Sequence, residues 1–567
     1  MKKDQERKPF EIGLVMAGAV SAGAYTAGVI DFLFQALEEW HMAKERGKDV
    51  PTHEVKLKVI SGASAGGMTG AIIASMLNDD FTPVTNLAEK KGRKKTKRNK
   101  LYDSWVEQVD ISNMLNNNDL RVKDGRVKSL LDSSVLEQIA ERAIDFSSKK
   151  EWRPYISDPL HLYLTVTNLP GVPYNIQFNG DSKKGYTIIQ HSDYVHFASS
   201  LKDPKLKEAE WLNAADSRHP NWDSLKIVAL ATGAFPGGLA PRIIDRRFND
   251  YNFREWPIPQ RPEETNGKTK CIDMEPIQPS WPKNDRKSYQ YLSVDGGVMD
   301  NEPLELARRK LAGGDNFNPR KPEHVHRATI MIDPFPSGEK KIFIPKEKLK
   351  HYDIFDVFTH LFGSLVSQAR FKPDEIMLAN SEQTYSRFLI APTRLNPDKN
   401  EEEKAKYPIA SGFLSGFGGF ISKKFRMHDF QLGRRNCQKF LKEYFAIPLE
   451  NVPDNEVFKN TNYEASVVER DGKDYVPFIP LTGTARKEVQ LISWDDILIK
   501  HKKLKRLRRE ITNRTSVVIN RVIDQKLDNT LTKGALKIFA RLNREKMVNW
   551  IMEKIKEDLE TYELIDK

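Results

Sequence analysis

At 567 residues the chain is too long for one small domain, and 39% hydrophobic with 10% aromatic residues supplies a packed core under a surface served by 30% charged residues. Two cysteines, Cys271 and Cys437, exclude a disulfide scaffold and a cysteine-based metal site, and a reducing compartment is the simplest reading. The formal net charge is +12, and residues 500–546 alone hold 15 basic against 4 acidic residues, so nearly all the excess lies in one C-terminal region.

In chain order, the first eight residues carry charge but no signal-type apolar core follows them. Residues 12–30 approach the length of a membrane span, yet they are rich in Gly, Ala, Ser and Thr and run into Asp31. The pattern predicts a buried strand (12–16), a small-residue loop and a helix (24–37). A second strand over 55–60 runs into Gly62-Ala63-Ser64-Ala65-Gly66 and then an apolar helix. A serine at such a strand-to-helix turn stands clear of its own backbone, the flanking glycines leave room for a substrate carbonyl, and the helix N-terminus favours negative charge beside it.

Residues 80–155 read as an insertion. It contains a basic run at 90–100 with eight cations in eleven residues, expected as a mobile surface loop, and a helix over 127–146. Strands are predicted at 161–167, 176–178 and 186–190. Residues 225–231 lead to Ala231-Thr232-Gly233-Ala234-Phe235-Pro236. Residues 242–288, rich in Pro, Asp and Arg, are expected to form a long irregular excursion of the kind that covers a site. A strand over 289–294 delivers Asp295-Gly296-Gly297, and 328–334 reads as a buried strand.

These stretches together resemble the patatin-like phospholipases over residues 10–335. The resemblance rests on the small-residue loop 18–28, the elbow 62–66, the segment 231–236, and Asp295-Gly296-Gly297 with Asn301 and Pro303. It implies a three-layer α/β/α domain with a central, mainly parallel sheet, acting on acyl esters of lipids. Ser64 would be the nucleophile and Asp295 the base of a dyad without histidine. Backbone N–H groups of Gly18, Ala19 and Val20 would form the oxyanion hole, with Gly62, Gly66, Gly296 and Gly297 as motif glycines. No cofactor or metal is required. The family's loop usually has three glycines, two further residues and a glycine; here the six are Gly18, Ala19, Val20, Ser21, Ala22 and Gly23. Main-chain donors survive that change, but a positive φ at Ala19 or Val20 would cost about 1–3 kcal/mol.

Two alternatives stay open at this level. A Ser–His–Asp esterase would use His196, His360 or His428 as base, and a lipid-binding or membrane-scaffolding protein would carry a degenerate site.

Beyond a linker at 338–341, helices are predicted near 354–369, 429–444, 494–509 and 536–559, giving a mostly helical C-terminal region from 336 to 567. In the last, Val548, Ile551, Met552, Ile555 and Leu559 share one face, a core-packing pattern. Residues 502–509 combine a narrow leucine stripe with a broad cationic face, as suits either a solvated helix face or anionic lipid headgroups; no nucleic-acid-binding motif accompanies the charge. Residues 412–426 mix glycines, phenylalanines and cations, either as an acyl-chain contact or as filler between domains. The combination is expected in a cytoplasmic protein with peripheral contact at the inner face of a membrane.

Overall fold

The computed structural model describes residues 8–77, 79–85, 99–121, 125–147, 152–176, 185–259, 272–283, 285–335, 384–395, 404–526 and 530–566, with isolated positions between 357 and 368. Most of the basic run at 90–100, the linker at 338–341, most of the 354–369 helix, Cys271 and His360 lie outside them.

The described residues form a three-layer α/β/α fold. Strand β1 (Phe10–Met16) lies inside a nine-stranded sheet, with β2 (Val55–Gly62) on one side and β10 (Arg327–Ile332) on the other, both parallel to it. Next to β2 comes β3 (Ile156–Ile176), then β4 (Tyr186–Ser200) and β5 (Glu210–Asn213). Strand β9 (Tyr289–Asp295) pairs antiparallel with the middle of β3, at Val166–Asn168, and with β6 (Arg242–Arg246). Alternate residues of β1 face opposite layers, which requires apolar side chains on both faces. Ile12, Leu14 and Met16 join the core with helices α1 (Gly23–Glu45) and α2 (Ser64–Met76). Val15 and Val59 pack with Leu304, Ala307 and Leu311 of α5 (Leu304–Ala312), which follows α3 (Ser134–Ile144) and α4 (Asn221–Thr232) in the chain.

Helix α1 is long and apolar enough to cross a bilayer, but 94% of its apolar window is buried in the fold. Its outer partner is α6 (Lys423–Glu443). The two backbones approach closely because each presents a glycine: a Cβ on Gly28 would stand 1.9 Å from the Phe430 carbonyl oxygen, and one on Gly433 would stand 2.2 Å from that of Tyr25. Asp31 and Arg434, both buried, pair across this crossing; Asn99 donates to Asp31, and Arg434 donates to Gln35.

Several elements differ from the sequence reading. The 127–146 helix is confined to Ser134–Ile144, because the chain before it is held extended by bonds from the Leu130 and Leu131 N–H groups to the Gly237 and Gly238 carbonyls. The described part of 242–288 is not all irregular: it contains β6 and the antiparallel pair β7 (Glu255–Pro259) and β8 (Ile272–Pro276). Their charges mask the alternation, since β6 reads Arg-Ile-Ile-Asp-Arg and takes its register from β9. The region after 336 contains strands as well as helices. Strand β11 (Arg387–Ile390) extends the central sheet beyond β10, and β12 (Ala446–Pro448), β13 (Val468–Arg470) and β14 (Lys473–Pro477) make a small antiparallel sheet. The chain ends in helices α7 (His501–Lys526) and α8 (Thr530–Thr561).

The α1–α6 crossing makes a signed prediction. In an open helix Gly28→Ala would add about 1 kcal/mol of stability, whereas here the methyl meets backbone and overpacking costs about 1–3 kcal/mol. Thermal melting of Gly28→Ala should therefore show destabilisation; a raised melting temperature would mean that the helices do not approach this closely.

Candidate active site

Strand β2 ends at Gly62, and Ser64 begins α2 with φ of +50°. A non-glycine residue holds that conformation only when its surroundings fix it. Two contacts do so. The Ser64 N–H donates to Thr232 Oγ1 at 2.9 Å, and the Ala63 N–H donates to the Met16 carbonyl at 3.2 Å. The turn presses against the end of β1 so tightly that a Cβ on Gly66 would lie 2.1 Å from the Met16 oxygen.

Asp295 arrives from the far side of the sheet at the end of β9. Its N–H donates to the Ala234 carbonyl at 3.0 Å, and its own carbonyl accepts from Thr167 Oγ1 at 2.7 Å. The carboxylate accepts the Gly297 N–H on Oδ1 at 2.8 Å and the Ser64 hydroxyl on Oδ2 at 2.7 Å. Residues 231 apart in sequence thus meet in one hydrogen bond. Both are buried, Ser64 6% and Asp295 4% exposed. Burial pushes the Asp295 carboxyl up to about 7, with the Ser64 and Gly297 hydrogen bonds pulling the other way.

The loop after β1 passes beside them. Gly18 lies so close that a Cβ would meet Asn301 Oδ1 at 2.3 Å and the Ser64 Cβ at 2.9 Å. Its N–H already donates to the Asn301 carbonyl at 3.2 Å, so Gly18 is not placed as an oxyanion donor, contrary to the sequence reading. Among the described residues no acceptor meets the N–H groups of Ala19 and Val20. Val20 has a φ of +49°, the conformation that a family glycine would adopt without strain, while Ala19 at −149° is extended.

Ser64 and Asp295 open onto a cavity of about 40 Å³, room for a few waters and far less than an acyl chain. Val20, Met68, Trp105, Ile139, Phe235 and Phe420 are among its walls. Its cover comes from residues 104–109, from α3 and from Phe420; no described residue of 242–288 lines it. Arg426 ties two of these pieces together. Its guanidinium, 1% exposed and with its pKa pushed down to about 10 by burial, donates to the Gly419 carbonyl at 2.6 Å and to the Val106 carbonyl at 3.0 and 3.2 Å. In the 412–426 segment Phe420 lines the cavity, while Phe413 and Phe425 pack into the core beneath α7 and α8. Composition marks that segment and the motif at 231–236, but nothing local marks Trp105.

No described histidine lines this cavity. His196 Nε2 lies 3.0 Å from His161 Nδ1, stacked on Tyr163, and burial holds both imidazoles well below the usual histidine range. His428 Nδ1 lies 2.8 Å from Asp429, whose carboxylate also accepts the Ala410 and Ser411 N–H groups. Among the described residues no group of three His, Cys, Asp or Glu side chains could hold a metal ion.

Comparison with known proteins bears on this arrangement. A family model described as patatin-like phospholipase matches residues 14–308. An uncharacterized protein of Sinorhizobium fredii, y4iI, is 34% identical, over 98% of this chain and 82% of that protein. The crystal structure of VipD from Legionella pneumophila aligns over 98% of this chain and 86% of that one, at 13% identity and a TM-score of 0.27, too low to carry an argument.

The raised Asp295 carboxyl has a consequence for stability. The folded chain holds this proton more tightly than the unfolded chain, whose carboxyl titrates near 4. The stabilisation is full below that value and is lost as pH rises through about 7. Asp295→Asn lacks this loss, so its melting temperature relative to wild type should climb between pH 5 and pH 8, by on the order of 1.4 kcal/mol of stability per pH unit inside the window. A difference that stays flat with pH would show Asp295 to be solvated.

Proposed function

We propose, from the premise that this chain belongs to the patatin-like phospholipase family, that it is a serine acyl hydrolase cleaving ester bonds of phospholipids or related lipids through Ser64 and Asp295. The observation that carries the reading is the 2.7 Å Ser64–Asp295 hydrogen bond at the mouth of an apolar cavity. A carboxylate with an ordinary pKa is a weak base at neutral pH, whereas one near 7 is matched to the task.

In the proposed mechanism Ser64 Oγ attacks the ester carbonyl carbon as its proton passes to Asp295. The carbonyl oxygen becomes an oxyanion facing the Ala19 and Val20 N–H groups, beside the N-terminus of α2. Collapse of the tetrahedral intermediate breaks the C–O bond, and the Asp295 proton goes to the departing alkoxide. Water then attacks the acyl-enzyme, giving its proton to Asp295, which passes it to Ser64 Oγ as the Oγ–C bond breaks and the fatty acid leaves. The apolar walls suit an acyl chain rather than a headgroup. Because the cavity is so small, the cover around Trp105, Ile139 and Phe420 must move to admit one.

Membrane contact belongs to the same proposal. Leu504, Leu507 and Ile511 of α7 are buried, so that stripe is core, while Lys502, Lys505, Arg506, Arg508 and Arg509 face solvent. On α8, Phe539 and Trp550 are 64% and 67% exposed. Cations beside exposed aromatic rings suit an anionic bilayer surface at the inner face of a membrane.

Two experiments test these readings. Ser64→Ala and Asp295→Asn should each abolish hydrolysis of a short-chain ester, and wild-type kcat/KM should rise with unit slope to a plateau above an apparent pKa near 7. Full activity in either variant would end the dyad reading. Separately, binding to anionic vesicles should weaken steeply with salt, since charges are screened within about 8–10 Å near physiological ionic strength. Reversing Lys502, Lys505, Arg506 and Arg509 to Glu should remove most of that binding while ester hydrolysis survives; unchanged vesicle binding would place membrane contact elsewhere.

A further inference from the structure

A second cavity, of about 690 Å³, lies between the C-terminal half of α6, the segment 465–468 and the chain at 477–491, and it shares no lining residue with the serine cavity. Its wall has two characters. Val50, Leu441, Val467 and Leu481 make it apolar. Arg394, Arg435, Lys439, Lys442 and Arg486 make it cationic, against only Glu443 and Glu488 among the acids that line it.

Among the described residues the acids do not neutralise it. Arg435 pairs with Glu488, and Lys439 sits 3.7 Å from Glu443. Arg394, Lys442 and Arg486 have no acidic partner within ion-pair distance among the described residues. Two polar atoms of the same wall are also buried without a partner there: the hydroxyl of Thr482, a residue 3% exposed, and Nε of Arg394. Arg394 is otherwise held, its ring-facing side 4.0 Å from the Trp494 centroid and one Nη donating to the Tyr407 carbonyl. A fixed guanidinium beside cations that lack an acidic partner is what an oxyanion head group needs. Apolar surface in the same space suits a hydrocarbon body, and the volume falls in the range of small-molecule sites, about 300–1,000 Å³.

We propose that this cavity is a binding site for an amphiphile with a single anionic head, carboxylate or phosphate, and an apolar body. The inference does not depend on Ser64: a site for such molecules stands whether or not the first cavity hydrolyses lipids. The two sources that share this chemistry are a free fatty acid and a single-chain phosphorylated lipid.

The test is calorimetric titration of Ser64→Ala protein, which cannot turn substrate over, with decanoate, decyl phosphate, decanol and inorganic phosphate. Decanoate or decyl phosphate should bind at one site, at least about tenfold more tightly than decanol or phosphate; the tighter of the two identifies the head group. Equal binding of decanol would show the cations idle, and equal binding of phosphate would show the apolar wall idle; either overturns the proposal. Lys442 and Arg486 are exposed, so Lys442→Glu with Arg486→Glu should keep the melting temperature and weaken binding about tenfold or more. Retained affinity in the folded double variant overturns the assignment. Filling the serine cavity with Ile139→Trp should leave binding unchanged; loss of binding in that variant, with melting unaltered, would move the ligand to the first cavity.

Discussion

The Ser64–Asp295 hydrogen bond is kept away from water, and much of the fold serves to bury it. A carboxylate at a wet sheet edge would titrate near 4. Excluding water raises the carboxyl to about 7 at a cost in folding free energy. That cost is limited by two hydrogen bonds, from Ser64 and Gly297, and the pair sits where three strand ends converge: β1 at Met16, β2 at Gly62 and β9 at Asp295. The carbonyl of Met16 sets how close the elbow can come, and the carbonyl of Ala234 fixes the depth of Asp295.

Water is excluded largely by chain that lies far from the dyad in sequence. Phe420 closes the cavity, and Arg426, six residues on, bridges it to Val106 in the insertion. The insertion is braced from outside by α7. Arg514, 2% exposed, pairs with Asp119 and donates to the carbonyls of Leu130 and Asn116, and Glu510 accepts from Ser112. The basic helix that dominates the charge of the chain is thus fastened to the cover of the serine. Its apolar stripe faces the protein for that reason, leaving the cations to solvent.

What the sequence discloses follows the range of the interactions. The elbow at 62–66 and the strand ending at Asp295 are local, each a run of apolar residues broken by small ones, so both are legible, and so is the layered architecture. The cover is not. Nothing near residue 105 signals a Trp that will line one cavity with a Phe 315 positions later, and the Pro-rich stretch at 242–288 attracts that role by composition while its β6 strand instead completes the sheet beside β9. Gly18 fails as a donor for a similar reason: its N–H is engaged by the carbonyl of Asn301, a residue that the motif includes but whose direction only the fold determines.

The loop at 18–23 shows how the chain tolerates its departure from three glycines. Val20 is held at positive φ, an arrangement worth about 1–3 kcal/mol of strain in a β-branched residue. The restraint comes from Ser21, whose hydroxyl donates to the Gly416 carbonyl and accepts the Gly419 N–H at 2.9 Å. A glycine at position 20 would relieve the backbone, but it would also remove a wall of the serine cavity, since the Val20 side chain lines it. The glycine-rich segment at 416–419 supplies both hydrogen bonds that hold Ser21. It runs directly into Phe420, so the backbone that holds the loop at 18–23 and a ring that lines the serine cavity are parts of one turn of chain.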